Sequence, residues 1–284
     1  MSEPIRLGLF YTILRPEEKW LLAAASARGI SLEPMHDGGM LFPIGGAPPP
    51  IDLVLNRSVS HIRGLYALRC LENGGVRTVN NAEVTERAGD KILGSLALSR
   101  AGIPTPRTIV ALTEEAALRA LDEIGYPAVL KPPIGSWGRL IARVHDREEA
   151  EQILEHKSAL PSPTQSIFYV QEHVPKPERD LRILVVGDEP IAGMVRRSTH
   201  WRTNAARGAT TEALPLSGEL SELARRAARA MGGGVLAVDV MEGPEGYVVH
   251  EVNPTPEFKA LQGTTTQVDI ADRILSFALE AAQP

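Results

Sequence analysis

The chain has 284 residues, 43% of them hydrophobic, enough to bury a sizeable core in one large or two to three smaller domains. Its 30 Lys and Arg against 35 Asp and Glu leave a formal charge of -5, which excludes bulk attraction to nucleic acid or to an anionic membrane as the organising feature. A single cysteine, Cys70, excludes an internal disulfide framework, no stretch reaches the roughly 18 apolar residues of a membrane helix, and Met1 to Arg6 open no signal peptide, so a cytoplasmic protein is expected.

In chain order, Leu7 to Tyr11 predict a buried strand, and Arg15 to Arg28 a helix opened by Pro16 and closed by Gly29. Asp37 to Pro50 form a loop rich in Gly and Pro ahead of a second apolar run, Ile51 to Leu55. A helix from His61 to Asn73 stops at Gly74-Gly75, before the short strand Thr78 to Asn80. This alternation predicts a small parallel-sheet domain over residues 1–88. A helix from Asp90 to Ala101 and the breaker Gly102 to Pro106 then open a second domain. There Val129-Leu130 end a strand on Lys131, Pro132 and Pro133 stop it, and Ile134 to Arg139 form a glycine-containing turn. Asp146 to Lys157 predict a solvated amphipathic helix, and Phe168 to Glu172 a buried strand. Beyond the stiff Pro175-Lys176-Pro177, strands are expected at Leu181 to Val186, Ile191 to Arg196, Val235 to Met241 and Tyr247 to Val252, with a helix from Glu219 to Met231.

The chemistry-bearing residues fall at element ends. Asp239 interrupts an apolar strand, and Glu251 and Asn253 share one face of the next, by the period of two. Asp239 alone could simply cap a strand in solvent. Three oxygen donors converging there suit Mg²⁺, which takes one or two carboxylates and completes its shell with water and phosphate. Lys91 and Lys131 are point charges suited to phosphate oxygens, and the turn after Lys131 offers backbone N–H groups, although Gly-x-x-Gly turns are more often plain hairpins. No Walker A pattern and no Gly-x-Gly-x-x-Gly follows a strand. Arg196 to Arg207 carry four arginines in twelve positions of an acidic chain, which favours an anionic small-molecule site over a nucleic-acid patch. The seven histidines show no paired ligand spacing, and Ser58 and Ser136 no companion base.

Taken together and in order, Gly89-Asp90-Lys91, Lys131 to Arg139, Gln171 to Val174, Asp180-Leu181-Arg182 and Glu251 to Thr255 resemble the ATP-grasp ligases, and within them the LysX family. Those enzymes join α-aminoadipate, or in their ArgX relatives glutamate, to the C-terminal glutamate of a small acidic amino-group carrier protein called LysW. The resemblance covers essentially the whole chain and implies an α/β, ATP-grasp fold. Its parts would be an N-terminal parallel-sheet domain over 1–88 and two α+β subdomains, 89–174 and 175–284, that clamp ATP.

Residue by residue, the resemblance implies that Lys91 and Lys131 contact ATP phosphates under a loop of Gly135, Ser136, Trp137, Gly138 and Arg139. Gln171, Glu172, His173 and Val174 would form the adenine hinge, with Asp180 and Arg182 also on the nucleotide side. Asp239, Glu251 and Asn253 would hold Mg²⁺. Arg197 and Asn204 would act in catalysis, and with Ala205, Glu257, Phe258, Lys259, Ala260 and Leu261 would face the substrates, in a homo-oligomer with neither nucleic-acid nor membrane partners. The chain reads Asn253-Pro254-Thr255 where ribosomal-protein-modifying relatives read Asn-x-Asn, and this favours a carrier-protein ligase. After Glu257-Phe258-Lys259 it carries Ala260-Leu261, neither the Asn-Thr or Asn-Ser of the α-aminoadipate branch nor the Gly-Phe of the glutamate branch. The amino acid therefore stays open, as do a glutamate ligase acting on a peptide or small cofactor and a nucleotide-binding regulator without turnover.

Overall fold

The computed structural model describes residues 5–135, 139–159, 166–201, 210–265 and 267–283. Its first unit is a parallel sheet in the order β2-β1-β3-β4, built from β1 (Leu7–Tyr11), β2 (Leu32–His36), β3 (Leu53–Arg57) and β4 (Arg77–Val79). Strand β2 is the element that the hydrophobic pattern hides, because Leu32-Glu33-Pro34-Met35-His36 neither alternates nor runs apolar. It sits at the sheet edge, where Pro34 can lack an N–H without breaking a ladder. Strand β3 starts two residues later than the apolar run suggests and continues through Asn56 and Arg57, both buried. Helices α1 (Pro16–Ala27) and α2 (His61–Asn73) flank this sheet; Glu18 reaches back to accept from the Arg15 backbone N–H at 2.9 Å, closing the start of α1.

Helices α3 (Ala82–Gly89) and α4 (Lys91–Arg100) follow. Asp90, expected inside a helix, instead caps α4 by accepting from the backbone N–H of Ile92 at 2.7 Å and Leu93 at 3.1 Å. Lys91 is thereby fixed at the first position of α4.

An antiparallel sheet of order β5-β8-β6-β7 comes next: β5 (Thr108–Ala111), β6 (Ala128–Lys131), β7 (Ala142–Val144) and β8 (Phe168–Glu172). Helices α5 (Glu114–Ile124) and α6 (Arg147–Ser158) accompany it. The charged helix α6 is solvated on one side and buries Ala150, Leu154 and Lys157 on the other.

A five-stranded antiparallel sheet, order β11-β10-β9-β12-β13, forms the rest: β9 (Arg179–Val186), β10 (Glu189–Arg197), β11 (Thr210–Ala213), β12 (Val235–Gly243) and β13 (Gly246–Asn253). Helix α7 (Gly218–Met231) packs on it, and α8 (Lys259–Thr264) and α9 (Ile270–Ala281) close the chain. One apolar cluster joins Leu7, Leu9 and Leu21 of the first unit to Leu184, Phe258, Leu261 and Ile274 of the last, so the two ends of the chain share a core. Asn80 stitches the same junction, donating to the carbonyls of Val235 and Pro254 at 2.7 Å each and accepting from Val235 N–H at 2.6 Å. Gly234 fits there because a Cβ would lie 2.0 Å from Asn80 Oδ1. The parallel first sheet and antiparallel later sheets agree with the expected fold class. No helix among the described residues is long and apolar enough to cross a membrane.

Candidate active site

A cleft of about 390 Å³ takes its walls from the units of all three sheets: Arg15 and Ser58 to Ile62 from the first, Pro132, Ile134 and Gly135 from the second, and Arg182, Arg196, Asp239 and His250 to Glu257 (Val252 excepted) from the third. Cross-strand register builds the third wall. Asp239 on β12 stands opposite Arg182 on β9 and opposite Glu251 on β13. Beyond that pair the register shifts so that Val240 faces Val249, leaving His250 as an extra residue. Strict alternation would send His250 to the face opposite Glu251 and Asn253. The bulge re-aims it, and all three line the cleft.

Asp239 is 2% exposed and bound on both oxygens, to Arg182 Nε and Nη2 at 2.7 Å each, with Arg196 Nη2 at 3.3 Å and Asn253 Nδ2 donating at 3.3 Å. Burial alone would raise its pKa, but Arg182 and Arg196 outweigh it and hold the carboxyl well below its usual range. Glu251 is opposed by burial in the same way and is held down chiefly by Lys91, whose Nζ lies 3.7 Å from its carboxylate. Among the described residues Glu251 accepts no hydrogen bond. An ionised carboxylate with free lone pairs, beside a second carboxylate and an amide, is a donor set that fits Mg²⁺ with water and phosphate completing the shell.

Of the two lysines, Lys91 lines the cleft, whereas Lys131 lies behind its wall against His250. Lys91 donates to the Gly135 carbonyl at 2.9 Å. Lys131, 6% exposed, donates to Gln171 Oε1 at 2.6 Å and lies 3.2 Å from His250 Nδ1. Burial pushes the Lys131 ammonium down to about 8, with Glu251 pulling the other way. Burial, together with Lys131, pushes His250 down to about 4, so at neutral pH the ring is uncharged and its Nδ1 can accept from Lys131.

The other residues singled out in the sequence divide. Arg139 and Glu257 line the cleft. Gln171, expected at an adenine hinge, has its amide consumed inside the protein: Nε2 donates to Thr108 Oγ1 at 3.0 Å and Tyr169 Oη at 2.9 Å, while Oε1 holds Lys131. Glu172 accepts from the Arg107 backbone N–H at 2.7 Å, and neither it nor His173 or Val174 belongs to the cleft lining. Asp180 and Arg182 are the ion-pair partners of Arg196 and Asp239, Asp180 meeting Arg196 Nε at 2.5 Å. Arg197 points away from the cleft to Glu212 at 2.9 Å, whereas its neighbour Arg196 lines it, since adjacent strand residues face opposite sides. Phe258 and Leu261 are 0% exposed in the shared core, Ala260 packs against that core, and Lys259 meets Glu17 through its backbone N–H at 3.0 Å. These four lie outside the lining of the cleft. Ser136, Trp137, Gly138, Asn204 and Ala205 fall outside the described residues.

Sequence reasoning missed the N-terminal wall. Arg15, Ser58 and Ser60 enter the cleft from loops beyond the C-terminal ends of β1 and β3, and His61 from the first position of α2, where parallel sheets commonly place ligand groups. The signal available was polar residues directly after buried apolar strands.

Comparison with known proteins agrees with this architecture. Residues 7–87 match the family model of the LysX preATP-grasp domain, and residues 88–278 that of the RimK-like ATP-grasp domain. The glutamate–LysW ligase ArgX of Sulfolobus acidocaldarius is 34% identical over 276 residues, covering 96% of this chain and 98% of that protein. The alpha-aminoadipate–LysW ligase LysX of Sulfurisphaera tokodaii is 36% identical over 259 residues, covering 89% and 91%. Among solved structures, the RimK domain ATP-grasp protein of Sphaerobacter thermophilus aligns with a TM-score of 0.81 at 31% identity, covering 96% of this chain and 99% of that one.

Proposed function

Since this chain belongs to the RimK-like ATP-grasp family, with a LysX-type preATP-grasp domain ahead of it, we propose that it ligates an acidic amino acid to a carrier protein. It is an ATP-dependent carbon–nitrogen ligase. The α-amino group of α-aminoadipate or glutamate is joined to the C-terminal glutamate of a small acidic LysW-type carrier, in lysine, arginine or related biosynthesis. In this reading residues 1–88, 89–174 and 175–284 are the pre-ATP-grasp domain, the phosphate-loop subdomain and the metal and substrate subdomain. The enzyme works in the cytoplasm as a homo-oligomer.

One observation carries the reading: two lysines, one opening helix α4 and one ending strand β6, approach a wall of ionised carboxylates, Lys91 within 3.7 Å of Glu251 and Lys131 buried beside His250. Cations and carboxylates so placed suit a polyanion that arrives with its own divalent cation. Asp239, Glu251 and Asn253 would hold Mg²⁺, which when bound neutralises charge on the phosphate oxygens. Lys91 and Lys131 orient the γ-phosphate toward the terminal carboxylate of the carrier, giving an acyl phosphate and ADP. Arg196 and Arg182, locked by Asp180 and Asp239, keep fixed positive charge at the cleft wall. The incoming α-amine then attacks the acyl carbon, the C–N bond forms as the C–O bond to phosphate breaks, and inorganic phosphate and a proton leave. The protein contributes position and charge and forms no covalent intermediate of its own.

The test is to incubate purified protein with ATP, Mg²⁺ and candidate carriers, crossed against α-aminoadipate and glutamate, and to weigh the intact carrier. ATP-dependent gain of one amino-acid residue is expected. Mass appearing only on an added peptide or pterin, with the carriers unchanged, would overturn the carrier assignment.

A further inference from the structure

We propose that Arg15 anchors the side-chain carboxylate of the acidic amino acid, and that Glu257 occupies this seat until the substrate displaces it. The inference rests on the ligase reading above and names the group that selects its amino acid.

The two edges of the Arg15 guanidinium are held differently. Nε and Nη2 grip Glu18 at 3.1 and 2.9 Å, and the Glu18 side chain is 0% exposed. Nη1 meets Glu257 at 3.0 Å, and that side chain is 45% exposed. The first edge is structural. The second is a half-solvated ion pair of the kind that contributes little net free energy and exchanges readily. Both Arg15 and Glu257 line the cleft that also contains Glu251 and Asn253, so a ligand with its amine near the carboxylate wall has a cation available at the far wall.

The surroundings of the seat suit the exchange of one carboxylate for another. Arg57 shares Glu18, donating from Nε at 2.9 Å, and spends Nη1 on the Pro256 carbonyl at 2.8 Å. Its Nη2 is buried with no hydrogen-bond partner among the described residues. Two guanidinium groups thus share the buried Glu18, the buried Glu17 carboxylate acts on both, and Glu257 meets the remaining edge of Arg15 from the solvent side. Nothing but side-chain rotation is needed to move it away. What replaces it must offer the Nη1 edge of Arg15 an acceptor of similar shape, and the side-chain carboxylate of glutamate or α-aminoadipate is the same chemical group as the one displaced.

This assignment explains how selectivity for an acidic side chain survives with Leu261 sealed in the core. Carboxylate recognition then belongs to the N-terminal unit, while the sequence after Lys259 shapes packing behind Pro256 and Glu257.

The test measures steady-state ligation with a carrier for Arg15→Met, Arg15→Lys and Glu257→Ala, using glutamate or α-aminoadipate and the matching side-chain amide. Arg15→Met is expected to raise KM for the acid by about tenfold to hundredfold, the range of one charge-assisted hydrogen bond lost. KM for ATP and the weak reaction of the amide should stay put, and Arg15→Lys should recover part of the loss. Glu257→Ala removes the competitor and should lower KM for the acid several-fold, and because Glu257 is exposed this variant keeps the question answerable if Arg15→Met fails to fold. Acid and amide affected equally by Arg15→Met, or a KM for the acid that is unchanged or raised in Glu257→Ala, would overturn the assignment. Wild-type protein that ligates no acidic amino acid would remove the ligase reading itself, a different outcome from a wild type that turns over normally and variants whose KM does not move.

Discussion

On the β12–β13 wall of the cleft Asp239 is gripped by Arg182 and steadied by Arg196, and Arg196 in turn is gripped by Asp180; on the N-terminal wall Arg15 is gripped on one edge and loosely met on the other. The first arrangement grows out of antiparallel register, which sets Arg182, Asp239 and Glu251 side by side on three adjacent strands. The second grows out of two loops and a segment some 240 residues downstream, Arg15 and Glu257 being 242 positions apart. A wall locked by strands suits the invariant part of the reaction, phosphate and cation. A wall with one exchangeable partner suits the part that differs between substrates.

The largest effects should separate the acids of the locked wall from one another. Both Asp239→Ala and Glu251→Ala are expected to lower turnover by at least about a hundredfold, through loss of the charge that holds the phosphate cation. Their stabilities should differ. Asp239→Ala leaves the Arg182 charge without its paired carboxylate and Arg196 with Asp180 alone, and should cost about 3–5 kcal/mol, whereas Glu251, which accepts no hydrogen bond among the described residues, should cost about 1 kcal/mol or less. Denaturant unfolding beside turnover checks this, and equal losses of stability would break the distinction.

Next in size is Leu261→Ala, in the core behind the N-terminal wall. Truncation of a 0% exposed leucine should cost about 2–5 kcal/mol in unfolding free energy, with the preference between glutamate and α-aminoadipate unchanged in the folded fraction. A switch of preference without destabilisation would return the selecting role to Ala260-Leu261.

Lys131 gives an effect of intermediate size with a definite sign. Its folded pKa, about 8, lies below the ordinary 10.5, so between those values the unfolded chain carries the extra proton and stability should rise with pH. Over the same rise the ammonium loses its charge, and KM for ATP should increase. Stability curves and KM across this window, compared with Lys131→Met, test both slopes; the variant should flatten them.

How much of this was legible in the sequence follows the same division. The acids were readable because Asp239, Glu251 and Asn253 break apolar strands at a fixed period, and Lys131 because prolines end its strand. His250 was not, since a bulge cannot be inferred from alternation, and Arg196 was passed over for Arg197, since strand parity depends on a register that only pairing sets. Gln171 sits in a motif that implies a nucleotide contact, yet its amide is committed to Lys131, Thr108 and Tyr169, partners from three different strands. Strand β2 and the N-terminal wall were hidden because they depend on edge position and on long-range contacts that no local pattern encodes.

The smallest expected effect is at Arg197, whose exposed pair with Glu212 should contribute less than about 1 kcal/mol, so that Arg197→Ala leaves stability nearly intact while Arg196→Ala, with 3% side-chain exposure and two carboxylate partners, does not. Unfolding curves of the two variants side by side decide it, and equal destabilisation would reverse the strand parity assigned here.

The central claim, that the locked wall activates a carboxylate by phosphorylation, is tested most directly by labelling the C-terminal carboxylate of the carrier with heavy oxygen and analysing the inorganic phosphate released during ligation. An acyl phosphate predicts one labelled oxygen in each phosphate formed, dependent on both ATP and the amino acid. Phosphate released without label, while the carrier still gains mass, would contradict the account.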